Sequence, residues 1–173
     1  APTASPAPTG ETVVTCEFSI NDYITSVYID GVDMTSSVTG NLYSATEVNT
    51  LTFDASATTF AISGYDDQGG CSNGGFALYC TTDTASGPWQ DLVSDTTSWL
   101  ATTSVSGSET TWMDPGYDDS SWQAPSVGGE PQYSSDIIGG GSETICVEGD
   151  YYFRRTVRPG SAYFTTTGSC GVE

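Results

Sequence analysis

Residues 13–31 read Val13-Val-Thr-Cys-Glu-Phe-Ser-Ile20, Asn21-Asp22-Tyr23 and Ile24-Thr-Ser-Val-Tyr-Ile29-Asp30-Gly31. Two runs of β-branched and aromatic residues suit a pleated, half-buried surface, and Asp30-Gly31 is a pair that accepts the positive φ angles of a tight hairpin. Apolar runs alternate with Gly, Asn, Asp and Ser clusters through Thr50-Leu-Thr-Phe53, Thr59-Phe-Ala-Ile-Ser63 and Gly75-Phe-Ala-Leu-Tyr-Cys80. Further candidate strands are Thr110-Thr-Trp112, Thr144-Ile-Cys-Val147, Tyr151 to Val157 and Ala162 to Thr165. No stretch holds a helical period over three turns. So many short strands predict an all-β fold, a two-sheet, jelly-roll-like antiparallel sandwich.

Domain organisation follows from what flanks these strands. Residues 1–10, Ala1-Pro-Thr-Ala-Ser-Pro-Ala-Pro-Thr-Gly10, have no apolar face to bury and predict an extended Pro/Thr/Ser-rich tail. Residues 11–173 then form the sandwich domain, and 36% hydrophobic residues, with 12% aromatic, suffice for one core. No run approaches the ~20 apolar residues that a bilayer crossing requires, so membrane insertion is not expected. The opening Ala-Pro-Thr reads as a mature, secreted or cell-surface product. In that setting Thr3, Ser5 and Thr9 are candidate O-glycan acceptors, whereas no Asn-x-Ser/Thr sequon occurs.

Charge removes whole classes of function. The chain has 22 Asp and Glu against 3 Arg, no Lys and no His, a formal net charge of −19. A field of that sign repels nucleic-acid phosphates and anionic lipid. It attracts calcium or basic proteins, leaves neutral sugars unaffected, and otherwise serves solubility. Without His no imidazole-based nucleophile–base constellation is possible, without Lys no Schiff base forms, and no Gly-rich phosphate loop ends in Lys. Paired carboxylates could in principle hydrolyse a glycosidic bond, but with 22 acidic residues chance pairs are inevitable, so no enzyme is expected.

Five cysteines in an acidic, Ser/Thr-rich chain point to an oxidising, extracellular compartment. Cys71 and Cys80 are the easiest pair to defend, because Ser72-Asn-Gly-Gly75 supplies turn residues between them. Cys16, Cys146 and Cys170 are left unmatched, and the odd count leaves a thiol free or joined to another chain. No Cys-x-x-Cys pair and no His are present for zinc.

Two related signatures stand out, Ser94-Asp-Thr-Thr-Ser-Trp99 and Tyr117-Asp-Asp-Ser-Ser-Trp122. Asp, Ser and Thr side chains can bond nearby amides to tighten a turn, and the following Trp anchors it. The second is followed by Tyr151-Tyr-Phe-Arg-Arg155. That order resembles the galactose-binding-domain-like jelly-roll modules of glycoside hydrolases and cell-surface proteins. Val27-Tyr-Ile-Asp-Gly-Val32 and Thr59-Phe-Ala-Ile-Ser-Gly-Tyr-Asp66 agree with it, so the resemblance runs from Phe18 to Val157. It implies architecture: Trp122 in the core or at the base of a loop, and Arg154 or Arg155 as ion-pair partner of Asp118 or Asp119. The fold hosts sugar binders, protein binders and structural modules, some with calcium, so no ligand residue carries over.

The loop Tyr65-Asp-Asp-Gln-Gly-Gly-Cys-Ser-Asn-Gly-Gly75 gathers oxygen ligands among glycines, which makes Asp66, Asp67 and Asn73 candidate calcium ligands, or else the loop is a disulfide-pinned surface turn. Trp89 and Trp112 lie beside loop signals and, with Tyr65, are candidate sugar-stacking residues. Core positions are the alternative for both tryptophans.

These readings lead to two expectations. The first is a secreted structural subunit that assembles with copies of itself into a filament or matrix, using its tail, an unpaired cysteine and strand addition. The second is a carbohydrate-binding module or lectin with glycan partners.

Overall fold

In a computed structural model of the chain, the described residues are 12–20, 23–44, 47–65, 71, 75–84, 87–105, 111–128, 138, 140–147 and 151–157. The strands are β1 (Val13–Ile20), β2 (Tyr23–Ile29), β3 (Val32–Asp33), β4 (Asn49–Asp54), β5 (Thr59–Tyr65) and β6 (Phe76–Thr82). They continue with β7 (Leu92–Val93), β8 (Leu100–Thr102), β9 (Ser126–Val127), β10 (Ile145–Cys146) and β11 (Tyr151–Thr156), and one 3₁₀ turn spans Thr35–Ser37. Two antiparallel sheets form a sandwich. Sheet A runs β4-β1-β6-β10-β9 with β7 also on β6, and sheet B runs β3-β2-β5-β11-β8. The expected tail, with Thr3, Ser5 and Thr9, and the candidate strand Ala162 to Thr165 lie outside the described residues.

The core lies between the sheets. On β1 the even positions Val14, Cys16, Phe18 and Ile20 turn inward, as a strand period of two dictates, and all four are buried. Phe18 and Phe76 of sheet A meet Phe60 and Phe153 of sheet B, with ring centroids 6.0 Å apart for Phe18–Phe60 and 5.6 Å for Phe76–Phe153. Trp99 closes the centre edge-on to Phe76 at 5.3 Å. Each such ring contributes roughly 1.5–3 kcal/mol by leaving water.

The Asp30-Gly31 hairpin forms with φ +48° and +79°, the left-handed pair of a two-residue turn. A Cβ on Gly31 would overlap the Asp114 carboxylate, so the position needs glycine for space as well as for φ. Asp30 itself accepts from Thr58 N at 3.0 Å, Thr58 Oγ1 at 2.9 Å and Thr59 N at 2.8 Å, which fixes the hairpin to the start of β5.

The cysteines pair differently from the sequence expectation. Cys16 bonds Cys80, and Cys71 bonds Cys146. Cys16 and Cys80 are directly opposed on β1 and β6, the close side-chain approach of neighbouring antiparallel strands. Proximity in the sheet therefore overrides proximity in sequence, and Cys71 is left to tie its loop to β10. The segment expected as a strand at Thr110-Thr-Trp112 is a turn over residues 111–114, closed by Asp114 N donating to Thr111 O at 2.9 Å.

Candidate functional site

The outer face of sheet B is organised in rows by strand register. One row places Tyr28, Ala61, Arg154 and Leu100 side by side on β2, β5, β11 and β8. The next holds Ser26, Ser63, Tyr152 and Thr102, and the last holds Tyr23 opposite Tyr65. A bulge between Ile24 and Ser26 brings Thr25 and Ser26 both onto Ser63, with hydroxyl contacts of 2.9 and 2.6 Å.

Residues 111–123 strap the first row. Trp112, Met113 and Trp122 pack with Ala61 into a second apolar cluster, joined by Tyr28, Leu100, Tyr117 and Tyr152. Trp112 sits edge-on to Tyr28 at 5.6 Å and to Tyr152 at 5.2 Å, and is stacked with Trp122 at 6.1 Å. Beneath it Arg154 is 2% exposed. Its Nη1 donates to the Asp119 carboxylate and, at 2.9 Å, to Thr156 Oγ1, while Nη2 donates to Asp114 O at 2.6 Å. A buried guanidinium needs such neutralisation, because desolvating a lone charge is costly. Arg155 instead donates to Ser98 O at 2.5 Å, and Asp118 accepts from Ser120 N at 3.1 Å within its own turn. A cleft of about 280 Å³ opens beside the strap, and both guanidiniums on its wall are already engaged.

Both Asp-and-Ser signatures are turns. Asp95 Oδ1 accepts from Thr97 N at 2.7 Å and Ser98 N at 2.6 Å, and Trp99 below it donates Nε1–H to Val93 O at 2.9 Å. Burial of Asp95 acts to raise its pKa, but the side-chain donors of Ser98 and Thr97 and their amides together outweigh burial and hold it below the ordinary carboxylate value. Asp118 is held low in the same direction by its bonds to Ser120.

The two tryptophans expected as sugar platforms are core residues: Trp89 is 0% exposed and Trp112 is 5%. Trp89 is fixed by Nε1 donating to Ala57 O at 2.8 Å and by an edge contact to Phe53 at 4.9 Å, and Trp112 is covered by the strap it anchors. Asp66, Asp67 and Asn73 lie outside the described residues, among which no cluster of three or more His, Cys, Asp or Glu could hold a metal ion.

Tyr65 is placed differently, 44% exposed in the last row of sheet B. Tyr23, its partner in register, is 39% exposed, and Tyr43, in the loop between β3 and β4, is 72% exposed. The Tyr23 ring lies 6.5 Å from Tyr65, nearly parallel at 21°, and 5.8 Å from Tyr43. Ile24 N donates to Leu42 O at 2.9 Å, which brings the loop carrying Tyr43 to this end of the sheet. Tyr151 Oη donates to Tyr23 O at 2.6 Å from inside, against Gly64, where a Cβ would overlap both oxygens. Alternation alone would have turned Tyr23 outward, since Ile24 is inward; Tyr43 has no such signal, because it sits in a loop.

Comparison with known protein families, curated proteins and solved structures finds no match for this chain. The architecture established is thus a two-sheet antiparallel β-sandwich, and the likeness to galactose-binding-type modules rests on the sequence motifs.

Proposed function

We propose that the chain is a secreted structural subunit that assembles with copies of itself into an extracellular filament or matrix, through sheet-edge contacts of a galactose-binding-like jelly roll. The observation that supports this is the outer edge of β4, which is covered at Thr50 and open at Thr52. Thr50 exchanges both main-chain hydrogen bonds with Thr39, at 2.8 and 2.9 Å, on the side away from β1. Alternation along the strand turns the Thr52 amide and carbonyl the same way, and among the described residues nothing pairs with them. An unpaired edge is a template for another strand.

The opposite edge of sheet A is β9, where Val127 is 64% exposed. Two unlike edges on one sheet favour head-to-tail pairing, which continues as a fibre when its rotation does not close. Two disulfides fit an extracellular setting, and among the described residues no helix is long and apolar enough to cross a membrane.

The test is electron microscopy of purified protein beside Thr52→Pro, which removes an outward N–H and fixes φ at an edge position, and Val127→Lys, which charges the other edge. The reading expects fibres from the parent chain and monomers or short oligomers from both variants, with thermal midpoints close to the parent's. Monomers from the parent at every salt concentration, or fibres of unchanged length in both variants, would overturn it.

A further inference from the structure

We infer that Tyr23, Tyr43 and Tyr65 form a binding platform for neutral glycans. Tyr23 and Tyr65 belong to sheet B, whereas the β4 and β9 edges belong to sheet A, so the proposal stands whether or not the chain polymerises. Three tyrosines exposed by 39%, 72% and 44% meet at the end of one sheet, and a contiguous exposed aromatic patch is informative where a single exposed ring is not. They are held by the fold. Tyr23 and Tyr65 are opposed on β2 and β5, and the Tyr151 bond to Tyr23 O fixes the strand from below.

The chemistry selects the occupant. Pyranose C–H groups pack on aromatic faces without needing charge, and tyrosine hydroxyls add donors and acceptors at the rim. Thr25, exposed and bonded to Ser63 at 2.9 Å, carries a hydroxyl on the neighbouring row of the same face. The described cations, Arg154 and Arg155, belong to β11 and pair with the opposite end of β5, at Ala61 and Phe60. In a chain of net charge −19, phosphate, sulfate or carboxylate ligands are therefore repelled, and neutral sugars are not.

Size points the same way. At those exposures the rings offer on the order of 300 Å², given 150–250 Å² for a whole aromatic side chain, whereas a stable protein interface takes about 800 Å² from each partner. The patch fits one or two sugar rings and is too small to hold a second copy of the chain by itself.

The experiment uses the full chain with tyrosine-labelled NMR spectra, titrated with neutral cello-, manno-, xylo- and galacto-oligosaccharides and with an oligogalacturonate as the anionic counterpart. At least one neutral probe should shift the Tyr23, Tyr43 and Tyr65 ring signals saturably, and the anionic probe should not. Tyr43→Ala should weaken that binding roughly tenfold and Tyr43→Phe far less, the signature of ring stacking. Both should keep the parent's thermal midpoint, since Tyr43 is 72% exposed. No shift with any neutral probe, binding of the anionic probe alone, or equal loss in both variants would overturn the proposal. So would a Tyr43→Ala variant that altered the sedimentation coefficient but not sugar binding, which would make the patch a contact between copies.

Discussion

Arg154 and Asp119, 35 positions apart, pair beneath the strap on the outer face of sheet B, with the guanidinium 2% exposed and the carboxylate 25%. The pair joins β11 to the segment that carries Trp112 and Trp122, so one charge contact and one aromatic cluster close the same seam. Removing Asp119 alone strands a desolvated cation. Asp119→Ala should cost about 2–4 kcal/mol in urea denaturation, less than a fully buried pair because Asp119 is partly solvated. Combining it with Arg154→Met should recover part of the loss, since an apolar side chain can join the cluster. Additive losses would show that the two residues act independently.

The aromatic half of the seam predicts a separate effect. Trp112 is 5% exposed and in ring contact with Tyr28, Tyr152 and Trp122. Trp112→Ala should destabilise by about 3–5 kcal/mol, the range for emptying a large aromatic site, while leaving glycan titrations of the tyrosine platform unchanged. A loss of sugar binding without loss of stability would return Trp112 to the role of a stacking residue.

Some of this was legible in the sequence and some was not, for physical reasons. Val13–Ile20 and Thr59–Tyr65 announce themselves because β-branched and aromatic residues in such runs suit few other conformations. The Asp30-Gly31 turn is readable because only certain residues tolerate its backbone. The short strands Val32–Asp33, Leu92–Val93 and Ser126–Val127 carry no signal of their own. Two residues have no period, and their pairing is set by neighbours. Disulfide connectivity failed for a related reason: Cys16 meets Cys80 through the order of strands in sheet A, a long-range property. Tryptophans beside loop signals are likewise ambiguous until the partners of their N–H groups are known, which for Trp89 is Ala57 O.

The disulfides give a direct chemical check. Peptide mapping without reduction should recover Cys16–Cys80 and Cys71–Cys146 links, with Cys170 outside both. With sequence separations of 64 and 75, each closes a long loop and is worth about 4 kcal/mol on the chain-entropy account. Reduction should therefore lower the denaturation midpoint sharply. A Cys71–Cys80 peptide would contradict the sheet register.

Acid should weaken the fold through the Asp turns. Asp95, Asp118, Asp33 and Asp54 are all held below the ordinary aspartate value in the folded state, the last two by bonds from Thr35 and Ser56. A lowered folded value means that the ionised form stabilises the fold fully above the unfolded value, and that this is lost as pH falls through the lower folded value. Urea midpoints should hold to about pH 4 and then decline towards pH 2. Asp95→Asn should start lower at pH 7 and decline less steeply over the same window. An unchanged acid limb would show that this turn does not govern it.

Where the carboxylates are ionised, salt should act on assembly. With Arg154 turned inward against Asp119, one of the chain's 3 cations is taken from a surface that must balance 22 acidic groups. Copies approaching edge to edge therefore repel. Screening shortens the reach of that repulsion from about 30 Å at 0.01 M salt to about 8 Å at 0.15 M. Fibre length in electron micrographs should grow across that range, and calcium should act at lower ionic strength than sodium because it also binds carboxylates. A chelator should reverse the calcium effect and leave the sodium effect intact. Fibres indifferent to salt, calcium and chelator alike would mean that the contacting edges meet where the negative field is already neutralised, which attached cations or a basic partner would have to supply.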